Sequence, residues 1–201
     1  MTPYFETVKS FADVPIGDDG IDTSAFLEAS DGLVLLFDLL GNGVFAFVQN
    51  DIRSNIAGVR ERFNAHRDAS GTLESLVVCE KQNHVPPAPL KGIPCLVRLI
   101  RGLAFSCKAL QNMQEDRHCD LHICFKRSYD AVLRHHHNFA IRAVVAIAIR
   151  AVPRRDDFYH RIAQGGSKEK LDAELTKWLC GLDTIVSRMT AFLQDGGYGR
   201  V

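Results

Sequence analysis

The segment GVFAFVQNDIRSNIAGVR, residues 43–60, decides the fold that we expect for this chain. Its apolar residues recur every three or four positions, which is the spacing of an α-helix with one apolar face. They are Val44, Phe45, Val48, Ile52, Ile56 and Val59. Asp51 and Asn55 are four residues apart, so they lie one turn above the other on that helix. A carboxylate and an amide beside an apolar surface suit a ligand with a polar head and an apolar body. A solvent-exposed polar face is the simpler explanation if the two residues act alone.

Length and charge restrict the class of protein. With 201 residues, the chain is long enough for one domain with a substantial core. The formal net charge of zero argues against nucleic acid as a partner, because binding to phosphate backbones needs clustered basic residues. The N-terminus lacks the apolar run of a secretory signal, and the longest apolar run, residues 143–149, is too short to cross a bilayer. We therefore expect a cytoplasmic monomer with six reduced cysteines.

Helical periodicity and turn residues predict an all-α domain with about eight helices in two packed layers and no strand. Residues 1–20 are expected to be irregular, and a single domain is expected over residues 21–201. The first helix is predicted to begin after Asp22 or Thr23 and to end before Gly41-Asn-Gly43. A later apolar helix, residues 140–151, is predicted to be buried.

Two arginines stand among core-type residues in the helix predicted from about residue 92 to residue 113. Arg98 and Arg101 are three residues apart and on the same side of that helix. A buried guanidinium needs a carboxylate, carbonyl groups or an anionic ligand, because an unpaired buried charge costs several kcal/mol. A structural ion pair or a side chain that reaches the surface is the alternative for each arginine. With Asp51 available elsewhere, a polar pocket is a competing explanation for the pair.

Sequence signals for metal binding and catalysis are weak. Consecutive histidines on a helix point about 100° apart, so the triplet His135-His-His137 cannot close on one ion. His118 and His122 have a better spacing, but no second His/Cys cluster accompanies them. No G-x-S-x-G, P-loop or H-E-x-x-H motif is present. We therefore expect no metal, no cofactor and no enzymatic activity. His137, at the start of an apolar helix, is either a core histidine or a binding residue.

Three blocks of residues resemble the glycolipid transfer protein family in their order and spacing. The blocks are Leu39-Leu-Gly41…Val44-Phe45…Val48…Asp51-Ile…Asn55-Ile, then Arg101-Gly-Leu103…Phe105, then Leu133…His137…Phe139…Pro153…Asp157-Phe158. The segments Phe11-Ala-Asp-Val-Pro15 and Phe26-Leu-Glu-Ala-Ser30 are similar to fungal members. The resemblance extends from about residue 11 to the C-terminus. It implies a two-layer helical fold that holds one sphingolipid and transfers it between membranes, docking transiently on their surfaces.

The resemblance also implies roles for individual residues. The head-group site of the family corresponds to Asp51, Asn55, Arg98 and His137, with Arg101 as a further candidate. In the family, the Asp binds the N–H of the ceramide amide and the His binds its carbonyl group. This suits their chemistry, because a carboxylate is an acceptor and an imidazole N–H is a donor. The apolar pocket corresponds to Phe37, Val44, Phe45, Val48, Phe105 and Leu133, and Phe139 resembles an aromatic residue that docks on a bilayer.

Departures from the family at three positions leave the head group open between a sugar and a phosphate. Arg98 stands where glycolipid-selective members have a tryptophan on which the sugar stacks, and it resembles the ceramide-1-phosphate branch, because a guanidinium binds phosphate well. Gly58 stands where the sugar-selective members have a lysine, and Pro94 where the phosphate branch has a second arginine. The charge of Arg98 favours phosphate slightly. A sphingolipid sensor that binds lipid with little transfer is the alternative function.

Overall fold

A computed structural model describes residues 2–41, 43 and 45–201 of the protein, which include nine α-helices. They are α1 (Tyr4–Thr7), α2 (Thr23–Leu40), α3 (Ala46–Ala65), α4 (Leu73–Gln82), α5 (Gly92–Glu115), α6 (Leu121–Val132), α7 (Phe139–Arg150), α8 (Arg155–Ala163) and α9 (Lys168–Asp195). Short 3-10 helices cover Phe11–Asp13, Arg67–Ala69 and Arg134–His136. The predicted all-α class and two-layer packing are confirmed. Among the described residues, no helix has the length and apolar character that crossing a bilayer requires.

The N-terminal residues, expected to be irregular, contain short elements. Besides α1 and the first 3-10 helix, two short strands, β1 (Ile16–Gly17) and β2 (Gly20–Ile21), pair antiparallel in a hairpin. No strand was predicted, because two residues are too few to show the alternation that identifies a strand. The rings of Phe5 and Phe11 pack on Trp178 of α9, with centroid distances of 5.2 and 5.0 Å. The domain boundary between residues 20 and 21 stays a prediction.

The long helix α5 lies at the centre of the fold and packs against α3, α4, α6 and α9. The buried carboxylate of Glu80 accepts hydrogen bonds from the backbone N–H groups of Lys91, Gly92 and Ile93, at 3.0, 2.9 and 2.6 Å. These groups surround the start of α5, where backbone donors have no partner within the helix and negative charge is favourable. At the other end, Arg155 donates hydrogen bonds to backbone carbonyl groups at the C-terminal end of α5 and in the loop that follows. The central helix is thus held at both ends by charged side chains from other helices.

The prediction that the apolar helix after His137 is buried is wrong. The side chains of Phe139, Val144 and Ile147 on α7 are 87%, 42% and 66% exposed. Only the inner face of the helix, with Val145, Ala148 and Ile149, is buried. The helix packs mainly against α6, so its outer face has no covering helix among the described residues. Because nearly every residue of this segment is apolar, the sequence pattern could not tell which face is covered.

Candidate functional site

An apolar cavity of about 280 Å³ lies among α2, α3, α5, α6 and α7. Its lining residues are Phe37, Phe45, Phe47, Val48, Asp51, Ile52, Arg98, Arg101, Gly102, Phe105, Phe125, Tyr129, Leu133, His136, His137, Ile141, Val145, Ala148 and Ile149. A separate hollow of about 340 Å³ between α8 and α9 is lined mainly by charged and polar side chains, so it lacks the apolar wall of the first. The cavity therefore is the candidate site for a ligand with an apolar body.

The apolar wall of the cavity contains five of the six predicted pocket residues: Phe37, Phe45, Val48, Phe105 and Leu133. The sixth, Val44, lies outside the described residues. Aromatic rings from different helices contact one another in this wall: Phe37 and Phe45 have centroids 6.1 Å apart, and Phe105 and Phe125 have centroids 5.9 Å apart. The periodicity of α3 thus places Val48 and Ile52 beside aromatic residues that come from α2, α5 and α6.

Polar side chains from three parts of the chain line the same cavity, and we call them the polar mouth: Asp51, Arg98, Arg101, His136 and His137. They lie close enough to influence one another electrostatically: Asp51 and Arg101 act on the pKa of His137, Arg98 on that of Arg101, and Arg101 on that of His136. The structure therefore brings together an acid, two guanidinium groups and two imidazoles beside an apolar wall.

Asn55 is placed differently from the other predicted head-group residues. Its side chain is only 3% exposed and does not line the cavity. Its Nδ2 donates hydrogen bonds to the backbone oxygen of Asp51 at 2.9 Å and to Oδ2 of Asp51 at 3.3 Å. Asn55 therefore orients the exposed Asp51 carboxylate from below and leaves Oδ1 available as an acceptor.

His137 follows the 3-10 helix Arg134–His136 and precedes Asn138, whose side chain caps α7 by accepting a hydrogen bond from Ile141 N. The Tyr129 hydroxyl lies 3.2 Å from Nδ1 of His137. Burial lowers the pKa of His137, and the Asp51 carboxylate opposes this shift. The imidazole is therefore neutral at pH 7. When Tyr129 donates to Nδ1, the ring proton is on Nε2, which is then the donor available to a ligand.

Arg98 is exposed, as the alternative of a side chain that reaches the surface required. Successive residues of a helix point about 100° apart, so Leu99 and Ile100 enter the core while Arg98 stays at its edge. There it lines both the cavity and an outer groove of about 390 Å³ between α3 and the start of α5. Arg98 therefore has a guanidinium in reach of a head group at the polar mouth.

Arg101 is partly buried, and one backbone carbonyl group accepts hydrogen bonds from its guanidinium, as expected for an arginine inside the protein. Its Nε donates a hydrogen bond of 2.9 Å to the backbone oxygen of Arg200, and its Nη2 donates to the same oxygen. The C-terminal segment reaches this position because Tyr198 stacks on Phe192 with a centroid distance of 5.4 Å. This contact joins residues 99 positions apart in the sequence, so no local pattern predicts it.

Gly58 marks a close approach between α3 and α5. A Cβ atom at this position would lie 2.4 Å from Sγ and 3.1 Å from Cβ of Cys95. A larger residue at position 58 would therefore require Cys95 to move. The glycine at position 58 and the Cys95 side chain opposite it therefore depend on each other.

Sequence reasoning missed Tyr129 and His136, both of which line the cavity. Tyr129 lies four residues before Leu133, so the apolar face of α6 could have indicated it. For His136, no signal along the chain distinguishes it from His135. Phe139, in contrast, does not line the cavity and projects from the outer face of α7. No group of three or more His, Cys, Asp or Glu side chains in the described part of the chain is placed to hold a metal ion.

Comparisons with known proteins agree with this architecture. Residues 21–164 match the family described as Glycolipid transfer protein (GLTP). A "Glycolipid transfer protein" from Aureobasidium melanogenum is 35% identical over 191 residues, which cover 94% of this chain and 92% of that protein.

Two solved structures share the fold over nearly the whole chain. The crystal structure of HET-C2, a fungal glycolipid transfer protein, has a TM-score of 0.89 and 34% identity, and covers 95% of this chain and 96% of that one. A structure of FAPP2, described as selecting simple glycosphingolipids with the GLTP fold, has a TM-score of 0.88 and 27% identity, and covers 98% and 97%. The fold around the cavity and the sequence of the chain thus point to the same family. The chain belongs to the glycolipid transfer protein family.

Proposed function

We propose that this protein carries a sphingolipid from one membrane to another without changing it covalently. The observation that supports this function best is an apolar cavity whose mouth combines the Asp51 carboxylate with the His137 imidazole, from separate parts of the chain. The relatives named above are glycolipid transfer proteins, which supports the same class of cargo. The cytoplasmic location and the monomeric state expected from the sequence stay predictions.

The ceramide amide is the part of the ligand that the polar mouth suits. Its N–H is a donor, and the Asp51 carboxylate, oriented by Asn55, is an acceptor. Its carbonyl group is an acceptor, and His137 offers an N–H when Tyr129 occupies Nδ1. A hydrogen bond to a charged group contributes about 1.5–3 kcal/mol, and a neutral one about 0.5–1.5 kcal/mol. Two such bonds in a fixed geometry would select an amide-linked lipid over an ester-linked one.

The apolar wall would take the lipid chains. Removing apolar surface from water is worth about 25 cal/mol per Å². A bilayer offers the chains the same stabilisation, so moving them into the protein is close to neutral in free energy. The cavity therefore would make extraction reversible, which transfer in both directions requires, and the polar mouth would decide which lipid is carried.

Helix α7 is suited to lie between the bilayer and the cavity. Its inner face, with Val145, Ala148 and Ile149, lines the cavity, and its outer face exposes Phe139, Val144 and Ile147. The exposed side chains Arg142 and Arg150 flank this outer face. An exposed apolar face with cations beside it is typical of a helix that docks in a membrane interface. Docking of α7 would place the cavity wall directly against the lipid.

We expect Ile147→Ser to weaken membrane docking. Losing most of the burial of one large aliphatic side chain costs up to about 1.5–3 kcal/mol, so vesicle partitioning should fall about tenfold and transfer should slow in proportion. Vesicle sedimentation and fluorescent-lipid transfer measure both effects. Val85→Ser is the matched control, because Val85 is 75% exposed and lies in the loop between α4 and α5. Equal loss of partitioning in both variants would contradict docking through α7.

The charges at the polar mouth favour a phosphate head group over a neutral sugar. Two guanidinium groups, Arg98 and Arg101, accompany one carboxylate, Asp51, and the imidazole pKa values are lowered. The excess positive charge would stabilise an anion. The names of the relatives support a sugar instead, so a hexosylceramide is the competing cargo.

Replacing Arg98 by tryptophan should separate these two head groups. We expect Arg98→Trp to lose ceramide-1-phosphate transfer by about 10- to 100-fold, because it removes a charge-assisted hydrogen bond worth about 1.5–3 kcal/mol. Hexosylceramide transfer should be retained or increased, since an indole offers a flat surface for a sugar. Vesicle-to-vesicle competition between the two lipids measures both. Preference for the sugar lipid by the wild type and the variant alike would exclude phosphate as the head group.

A lipid sensor that binds sphingolipid with little transfer is the second candidate. By the resemblance, Gly58 stands where sugar-selective members have a lysine, and Pro94 stands where the phosphate branch has a second arginine. A side chain at position 58 would collide with Cys95. A site with fewer side chains that bind the head group would discriminate less well between lipids. Vesicle transfer kinetics distinguish the two functions, because a sensor would bind the lipid and release it slowly to acceptor vesicles.

A further inference from the structure

His136 has an unexplained polar atom at the polar mouth. The residue ends the 3-10 helix Arg134–His136 and lines the cavity. Its Nε2 has almost no exposed surface and no hydrogen-bond partner among the described residues. Buried polar atoms in folded proteins nearly always have a partner, so an unpaired nitrogen in a cavity wall is a place where a ligand atom is expected.

The groups that surround His136 are positively charged or neutral. Arg101 faces it from α5, Arg200 from the C-terminal segment, and His135 and His137 from its own segment, with His135 in ring contact at a centroid distance of 4.0 Å. Burial, together with the charge of Arg101 and these neighbours, lowers the pKa of His136 to about 4. The imidazole is therefore neutral at pH 7 in the lipid-free protein, and its site holds positive potential without a carboxylate of its own.

The carboxylate of Asp51 affects the pKa of His137 and not that of His136. Asp51 of α3 raises the pKa of His137 against the effect of burial, whereas the groups that act on His136 all lower its pKa. An anionic oxygen bound between Arg101 and His136 would supply the missing negative charge and would favour the protonated imidazole. A sugar hydroxyl could pair with Nε2 of the neutral ring and would not change its protonation. The two head groups therefore differ in whether their binding takes up a proton.

We propose that His136 is a phosphate ligand, and that it takes up a proton when the phosphomonoester head group of a sphingolipid binds between it, Arg98 and Arg101. This proposal depends on the proposed lipid-carrier function and assigns the head group of its cargo. Binding of the phosphate lipid then tightens as the pH falls. The gain is small above the pKa of His136 in the loaded protein and grows below it, because the lipid-free protein stays neutral down to about pH 4.

The test is the affinity for ceramide-1-phosphate at pH 7.5 and pH 5.5 in wild type, His136→Gln and His135→Gln. If the pKa of His136 rises to about 6.5 in the loaded protein, wild-type binding should tighten about tenfold more than that of His136→Gln between these pH values. The second ionisation of the lipid phosphate, near pH 6, is common to all three proteins and cancels in this comparison. His135→Gln should keep a pH dependence that His136→Gln lacks, because it retains the unpaired Nε2 of His136. NMR titration of the imidazole protons should show the pKa of His136 rising from about 4 to about 6.5 on loading, which a merely structural histidine would not show.

Each other outcome has a separate meaning. An identical pH profile in wild type and His136→Gln, with ceramide-1-phosphate bound by both, would overturn the role of His136. Proton uptake of the same size with hexosylceramide would overturn phosphate as its cause. A full shift of the His136 titration by inorganic phosphate alone would overturn the lipid as the source of the anion. Failure to bind or transfer any sphingolipid at either pH would overturn the carrier function itself.

Discussion

Replacing Asp51 by valine is expected to abolish sphingolipid transfer while the helical content stays unchanged. The Asp51 side chain is exposed at the polar mouth, so its loss leaves no buried group unpaired. Asn55 keeps its hydrogen bond of 2.9 Å to the backbone oxygen of residue 51, which the substitution does not remove. The substitution removes the acceptor for the ceramide N–H and the longer hydrogen bond of 3.3 Å from Asn55 Nδ2. Losing a charged acceptor is worth about 1.5–3 kcal/mol, which lowers affinity about 10- to 100-fold.

Two measurements check this result. Transfer of fluorescent sphingolipid between vesicles reports the activity, and circular dichroism with thermal unfolding reports the fold. Asp51→Asn is the matched variant, since it retains an acceptor oxygen of similar position without the charge, and we expect it to keep part of the activity. Transfer by Asp51→Val at the wild-type rate would refute the assignment of the amide-binding site. Recovery of the lipid chemically unchanged after incubation with the wild type would argue against a hydrolase.

The largest effect on stability is expected for Glu80→Ala. The Glu80 carboxylate is buried and accepts hydrogen bonds from three backbone N–H groups at the start of α5. Its removal leaves these donors without a partner and without the negative charge that the helix N-terminus favours. We expect a loss of about 3–5 kcal/mol in the free energy of unfolding, since each unsatisfied buried donor costs about 1–3 kcal/mol and part of this is recovered by water. For a chain of this length, that corresponds to a fall in Tm of about 10 °C.

Glu61→Ala is the matched control for this prediction. Glu61 is exposed, and its ion pair with Lys91 spans 3.8 Å at the surface, near the same end of α5. An exposed pair of this kind contributes about 0–1 kcal/mol. Urea unfolding of both variants should therefore show a large shift for Glu80→Ala and little change for Glu61→Ala. Equal shifts in the two variants would mean that charge near α5 matters and that the buried cap does not.

The helices of this protein were predictable because their signals are local. Asp22 caps α2 by accepting a hydrogen bond from Ala25 N at 2.7 Å, as its position before an apolar periodic segment indicated. The period of α3 placed Val48 beside Asp51, and the helix expected to begin at about residue 92 begins at Gly92. Caps, period and helix breakers act within one or two turns, so a sequence displays them directly.

The candidate site was predictable only in part. Resemblance to a family indicated Asp51, Arg98 and His137, and the structure places all three beside one cavity, although their binding roles stay predictions. It did not indicate that Asn55 lies beneath Asp51, or that His136 has an unpaired nitrogen. These features depend on how side chains from several helices meet, which spacing along one helix does not determine.

The sequence alone therefore determined that this chain is helical, where several of its helices begin or end, and which family it belongs to. Tertiary structure alone decided that α7 exposes one apolar face, that Arg98 stands at an edge, and that Arg101 is held by the carbonyl group of Arg200. The physical reason is range. Helix formation depends on neighbours a few residues away, whereas burial and charge pairing depend on packing partners that can be 99 positions distant.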